Sequence, residues 1–316
     1  MFFSSLRRLR KSLLGISLEE TTFAKRGFYR EDLLAQQRLE KIGATFVRGY
    51  NAALEDDHFD VLLSSLREVE GELQGFAFEG AAMGLSLLDY FRPFKQRLSA
   101  FIQGPGSDHI YVMHVGAGWM LGRLPRSPYK LMQQFDPLLC WLVVDGYGFH
   151  QGFFAWRRFI DRRVLPTNIS GYAQQVFDQG LGRSLWFVKG ANVAQCVSAI
   201  DAFPVERRSD LWSGIGLASA YAGGKGEDAL QMLCQAAGEN RWHLAQGAAF
   251  AAKARKRAGI SAPHTELACH IFSDYSGDEA AALTDECLKD LPQGDQAYAI
   301  WRSRIRMRLA GQNIRI

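Results

Sequence analysis

The sequence predicts an all-α protein: about four helix-pair repeats of roughly 65 residues, packed as a compact, solenoid-like single domain. A glycine element recurs along the chain, a second glycine element follows each copy by about 30 residues, and apolar residues at helical spacing fill the intervals.

The first element reads Val47-Arg-Gly49-Tyr-Asn-Ala-Ala-Leu54, His114-Val-Gly116-Ala-Gly118-Trp-Met-Leu121, Asp178-Gln-Gly180-Leu-Gly182-Arg-Ser-Leu185 and Ala245-Gln-Gly247-Ala-Ala-Phe250. The second reads Phe78-Glu-Gly80-Ala-Ala-Met83, Val144-Asp-Gly146-Tyr-Gly148-Phe-His150, Trp212-Ser-Gly214-Ile-Gly216-Leu217 and, more faintly, Tyr275-Ser-Gly277-Asp-Glu-Ala280. Phe59, Leu62, Leu63, Leu66 and Val69, and later Ala281, Leu283, Cys287 and Leu288, keep a spacing near 3.6. Gly104-Pro-Gly106, Pro125 to Pro128, Pro166, Pro204, Gly223-Gly224 and Pro292 punctuate these stretches as helix boundaries. Ile110 to Val115 and Trp141 to Val144 are rich enough in β-formers to read as strands too; helix is the reading adopted.

The glycines carry two readings. Missing side chains let helix backbones approach closely, and the same bareness lets a ligand press on the backbone. On the second reading Gly116, Gly118 and Gly182 line a substrate site.

Two parts are expected: a basic amphipathic helix over 1–20 and the repeat domain over 21–310. Leu6, Leu9, Leu13 and Leu14 share one helical face opposite Arg7, Arg8, Arg10 and Lys11. Residues 1–14 can therefore cap the domain or touch an anionic membrane surface or partner.

Composition narrows the classes. A hydrophobic content of 47% beside 22% charged residues suits a chain with a packed core. The longest apolar run, Leu138 to Val144, is far short of the ~20 residues of a membrane span. The start has no h-region or cleavage site of a secretory signal. A net charge of +4, from 37 basic and 33 acidic residues spread along the chain, offers no nucleic-acid surface. Cys140, Cys196, Cys234, Cys269 and Cys287 form no metal or disulfide spacing, which is the usage of reduced thiols in the cytoplasm.

Four segments carry a family resemblance: Thr21-Thr-Phe-Ala-Lys-Arg-Gly27-Phe28, Phe78 to Met83, His114-Val-Gly-Ala-Gly-Trp119, and Val144 to Phe153. With these in order from about Leu9 to Arg308, the chain resembles the family of unknown biochemical function often labelled enediyne biosynthesis protein. The resemblance implies association with gene sets in which an iterative polyketide synthase makes a linear conjugated polyene. It carries over no catalytic residues and implies a long apolar metabolite as partner, with the synthase or other pathway enzymes as further ones.

Glu79 and Asp145 precede equivalent glycines, so both carboxylates should face one side of the molecule. In an aromatic groove desolvation raises a carboxyl pKa and makes it a candidate general acid for a polyene. Trp119, Trp141, Tyr147, Phe149, Phe153 and Trp212 are candidates for the cation-stabilising walls. The structural alternative pairs Glu79 and Asp145 with Arg123 and Arg183. His150, five residues after Asp145, and His114 are candidates for proton transfer. Neither has an i, i+4 ligand partner, so no metal site is expected.

Asp56-Asp57-His-Phe-Asp60 spells the D-D-x-x-D of magnesium-dependent isoprenoid cyclases, but lacks a second motif and reads better as an exposed helix start capped by Asp57. No nucleotide fingerprint, nucleophile elbow or cofactor motif is present. The sequence thus points to a natural-product biosynthesis protein that holds a long apolar substrate between helices. Glu79, Asp145 and His150 then do acid-base isomerisation or cyclisation; the alternatives are a non-catalytic scaffold or carrier and, more distantly, the isoprenoid cyclase.

Overall fold

The computed structural model describes residues 10–311, and among them there is no strand. Eight helices carry the architecture: α1 (Leu33–Glu55), α2 (Gly71–Phe91), α3 (Ile110–Trp119), α4 (Trp141–Phe154), α5 (Tyr172–Val188), α6 (Val205–Ala222), α7 (Arg241–Arg257) and α8 (Ala297–Leu309). Each packs on the next, and shorter helices such as Phe59–Arg67, Val193–Asp201 and Glu227–Ala237 join them from outside.

The two sets differ in pattern as their positions require. Val193–Asp201 buries only Val193, Cys196 and Ile200, and Glu227–Ala237 only Leu230, Leu233 and Ala237, the single stripe of a surface helix. By contrast α2 is buried without interruption from Gly75 to Leu88, because it has neighbours on every side. Ile110 to Val115 and Trp141 to Val144 open α3 and α4, so β-rich composition yields to helix–helix packing there.

Glycines set the crossings. A Cβ on Gly116 would lie 2.0 Å from the Glu79 carbonyl oxygen in α2, and one on Gly118 would lie 1.9 Å from that of Val143 in α4. Gly146 and Gly148 repeat this against Val115 and Phe177, Gly180 and Gly182 against Asp145 and Leu211, and Gly214 and Gly216 against Gln179 and Leu244. With 3.6 residues per turn, residues two apart lie nearly opposite on a helix. Each G-x-G therefore bares one face to the helix before and one to the helix after. At the start of the row there is no G-x-G: Gly49 of α1 meets Ala77, and Gly80 and Gly84 of α2 meet Phe46 and Tyr50. Each 65-residue unit thus holds two glycine helices, and the two offset elements are one element at half the period. The faint copy at Gly277 is different: it opens the helix Gly277–Glu286, where Ser276 and Glu279 form a capping box.

The row winds back on itself. Arg38 of α1 donates to the Ala222 carbonyl at the end of α6, and Arg255 of α7 donates to the carbonyls of Glu72 and Tyr221, both at 2.7 Å. The ring of Phe76 in α2 meets that of Tyr221 in α6 edge-on at 5.0 Å. Helices distant in sequence thereby share one interior.

The helix expected over 1–20 is interrupted. Among the described residues it covers 10–14, and a separate turn of 3-10 helix follows at Leu18–Thr21. Residues 1–9, with Arg7 and Arg8, lie outside the described residues. Arg10 pairs with Asp57 and Lys11 with Glu55. The carbonyl of Leu14 accepts from Tyr50 and Arg123.

Candidate functional site: a buried acid beside an aromatic cavity

In six of the glycine-crossed helices, all but α1, the residue immediately before the first glycine of a copy is buried in the shared interior. At five helices it is polar: Glu79, Asp145, Gln179, Ser213 and Gln246. These side chains join into a ladder. Arg183 donates to Asp145 Oδ1 at 2.5 Å, Gln179 donates to Asp145 Oδ2 at 2.7 Å, and Ser213 lies within hydrogen-bond reach of Gln179 and Gln246. Arg302 of α8 closes it, reaching Gln246 Oε1 at 3.2 Å and Asp210 at 2.8 Å. A buried unpaired polar group costs about 1–3 kcal/mol, and the ladder leaves three such atoms among the described residues: Gln246 Nε2, Arg183 Nε and Glu79 Oε2.

Glu79 ends the ladder and is its least satisfied member. The indole of Trp119 donates to its Oε1 at 3.0 Å, Arg183 stands 3.8 Å from the same oxygen, and Oε2 has no hydrogen-bond partner among the described residues. Burial pushes its pKa up to about 7; Arg183 and Trp119 oppose the shift, and the charge of Asp145 adds to it. At neutral pH the carboxyl is therefore divided between acid and carboxylate. Arg183, although burial works against its charge, is held charged by Asp145 and Glu79.

Glu79 forms part of the wall of a cavity of about 30 Å³ whose other lining is almost wholly apolar, with Phe46, Phe76, Trp119, Phe149, Phe153 and Phe187 around it. That is room for about two waters. Trp119 makes ring contacts with Phe46 at 4.4 Å and Phe149 at 4.8 Å, and the Arg183 guanidinium lies 4.7 Å over Phe149.

The candidates separate in space. Glu79, Trp119, Phe149 and Phe153 come together, and Asp145 joins them through Arg183. His150 does not line the cavity: its ring lies edge-on to Trp119 at 5.7 Å, and Nδ1 is buried without a partner. Burial, aided by Arg123 and Arg26, pushes its pKa down to about 3, so the ring is neutral and unsuited to proton transfer near pH 7. His114 is likewise held neutral by burial, next to the Ile110 carbonyl. Trp141 packs on Tyr172, Tyr147 packs on Phe177, and Trp212 is buried in α6; none lines the cavity. Gly116, Gly118 and Gly182 face neighbouring backbone, so the space expected for a ligand is filled by a helix.

Of the two arginines expected to pair with the carboxylates, Arg183 does so, whereas Arg123 binds Tyr50 and the Leu14 carbonyl. Asp57 is not a cap: it is bridged by Arg10 and Arg97, and His58 occupies the N-cap position. The Asp56, Asp57 and His58 ligand atoms lie within 4.8 Å of one another, with one of the carboxylates taken by two arginines. All five cysteines are free, and burial raises each thiol pKa.

Residues that sequence reading passed over complete the site. Gln179, Ser213 and Gln246 are found by aligning the glycines at half the period and reading one position back. Phe46, Phe76 and Phe187 carry no such signal, because their meeting depends on how the row winds.

The fold and site define an all-α protein of glycine-crossed helices with a buried ion-pair ladder ending at an acid in an aromatic cavity. Residues 5–309 match the family described as Protein of unknown function (DUF1702), and the chain belongs to it. No curated protein and no solved structure matches the chain. No described helix is long and apolar enough to cross a membrane.

Proposed function

We propose that the protein is an acid-base isomerase or cyclase acting on a long apolar, conjugated chain, with Glu79 as its acid. The observation that carries this reading is a carboxyl with a pKa near 7 and a free oxygen in the wall of an aromatic cavity. The general acid for a hydrocarbon must be protonated, close and dry, and rings around it stabilise developing positive charge.

The step balances without a cofactor. The Glu79 proton is taken by the π pair of one double bond, forming a C–H bond and a delocalised cation. The Glu79 carboxylate then removes a proton from another carbon, which gives an isomer, or the cation is first captured by a second double bond, which closes a ring. Arg183, anchored by Asp145, limits the cost of the transient Glu79 carboxylate. The substrate enters by displacing aromatic side chains, since the cavity at rest holds only water-sized contents.

The resemblance to the enediyne-associated family supports the same substrate class, a polyene from an iterative polyketide synthase, with the synthase as the enzyme that hands it over. The test is incubation with a synthase-derived polyene in deuterated water. Carbon-bound deuterium in an isomerised or cyclised product, lost in Glu79→Gln, supports the reading; conversion at the normal rate by Glu79→Gln overturns it.

A further inference from the structure

A second small cavity, of about 40 Å³, has Arg183 in its wall, where the first has Glu79. Its wall includes Val115 of α3, Leu142 of α4, Arg183 of α5, Leu217 and Tyr221 of α6, and Trp301 of α8. The two cavities share no lining residue, but side chains from their walls touch. Arg183 lines the second cavity, yet it stands 3.8 Å from Glu79 and 4.7 Å over Phe149, both in the wall of the first. Likewise Phe76, from the first cavity, meets Tyr221, from the second, at 5.0 Å.

Two features of these contacts point to a path between the cavities. Arg183 Nε and Glu79 Oε2 are both buried without a hydrogen-bond partner, so the pair spans the gap through an ion contact of 3.8 Å rather than a closed two-bond fork. The Tyr221 hydroxyl, which no described residue hydrogen-bonds, reaches Gly75, where a Cβ would lie 1.9 Å from it.

We infer that the two cavities are the arms of one channel and that the substrate is a linear chain with hydrocarbon on both sides of Glu79, so that the proton is delivered to an internal double bond rather than to a chain end. This rests on the acid role proposed for Glu79. A site for a chain terminus needs one arm; two nearly all-carbon arms meeting at the acid fit a chain that passes through. Joining the arms requires the Arg183 guanidinium to turn about its Asp145 anchor and the Tyr221 ring to swing from Phe76.

The test uses the full chain and two probes: parinaric acid, a linear conjugated fatty acid, and sorbic acid, a short dienoic acid. Ala254 is half-buried in the wall of the second cavity, so Ala254→Phe fills that arm from its rim. We expect calorimetry to give wild-type binding of parinaric acid that weakens about tenfold in Ala254→Phe, the equivalent of about two buried methylenes, with sorbic acid unchanged. Leu217→Phe serves as a second filling variant, and melting curves confirm that each is folded. Unchanged parinaric affinity in both folded variants, or no binding of parinaric acid by the wild type, overturns the channel. Glu79→Gln retains parinaric binding while losing conversion, so failure of the acid and failure of the channel are read separately.

Discussion

Arg183 and Asp145 form a direct buried contact, Nη1 to Oδ1 at 2.5 Å, between adjacent helices crossed at Gly180. Because Asp145 takes the guanidinium, Glu79 is left with the longer contact, an indole donor and a raised pKa. Two carboxylates in equivalent repeat positions thereby acquire different roles.

Glu79 makes stability depend on pH. Its folded pKa of about 7 lies above the ordinary 4.5, so the native state binds the proton more tightly than the unfolded chain. Its contribution is complete below about pH 4.5 and is lost as pH rises through 7, a change of about 3 kcal/mol. We expect Glu79→Gln to melt near the wild-type temperature in mild acid and above it in mild alkali. Equal shifts at both ends of the pH range would exclude this origin.

Asp145→Asn strands the Arg183 charge and is expected to cost about 3–5 kcal/mol in urea unfolding. It also removes the negative charge that helps raise the Glu79 pKa and leaves Glu79 as the sole carboxylate beside Arg183. The alkaline limb of the activity profile should therefore move to lower pH. A profile that stays in place would separate Asp145 from the acid.

His150 acts in the opposite direction on stability. Its pKa falls from the ordinary 6.5 to about 3 in the fold, so its contribution is present above about pH 6.5 and is lost as pH falls toward 3. His150→Phe should resist acid unfolding better than the wild type, by about 3 kcal/mol near pH 4. Conversion near neutrality should persist; abolished conversion in the folded variant would restore His150 to the chemistry.

The crossings can be tested with single methyl groups. A Cβ on Gly180 would sit 1.8 Å from the Asp145 carbonyl oxygen, so Gly180→Ala must spread two helices and should cost at least about 3 kcal/mol. A Cβ on Gly71 meets nothing within 4 Å, and Gly71→Ala should be neutral or stabilising by up to about 1 kcal/mol. Similar denaturation midpoints for the two would remove the packing explanation of the repeat.

The sequence by itself determined the helices, the repeat and the special standing of Glu79 and Asp145. Those follow from local rules: apolar spacing sets a helix face, and a helix sandwiched between two others needs small residues two positions apart. Even the half-period was present in the offset between the two glycine elements, although the longer period hid it.

Only the tertiary structure decided which carboxylate takes the guanidinium and which is left with a raised pKa. Glu79 and Arg183 are more than a hundred residues apart, and the row must wind back before they meet; that meeting divides one charge between two carboxylates. The same winding gathers Phe46, Phe76 and Phe187 around Glu79 and moves His150 behind Trp119. A pKa is set by desolvation and by charges across the interior, and neither is encoded in the spacing of residues along a chain.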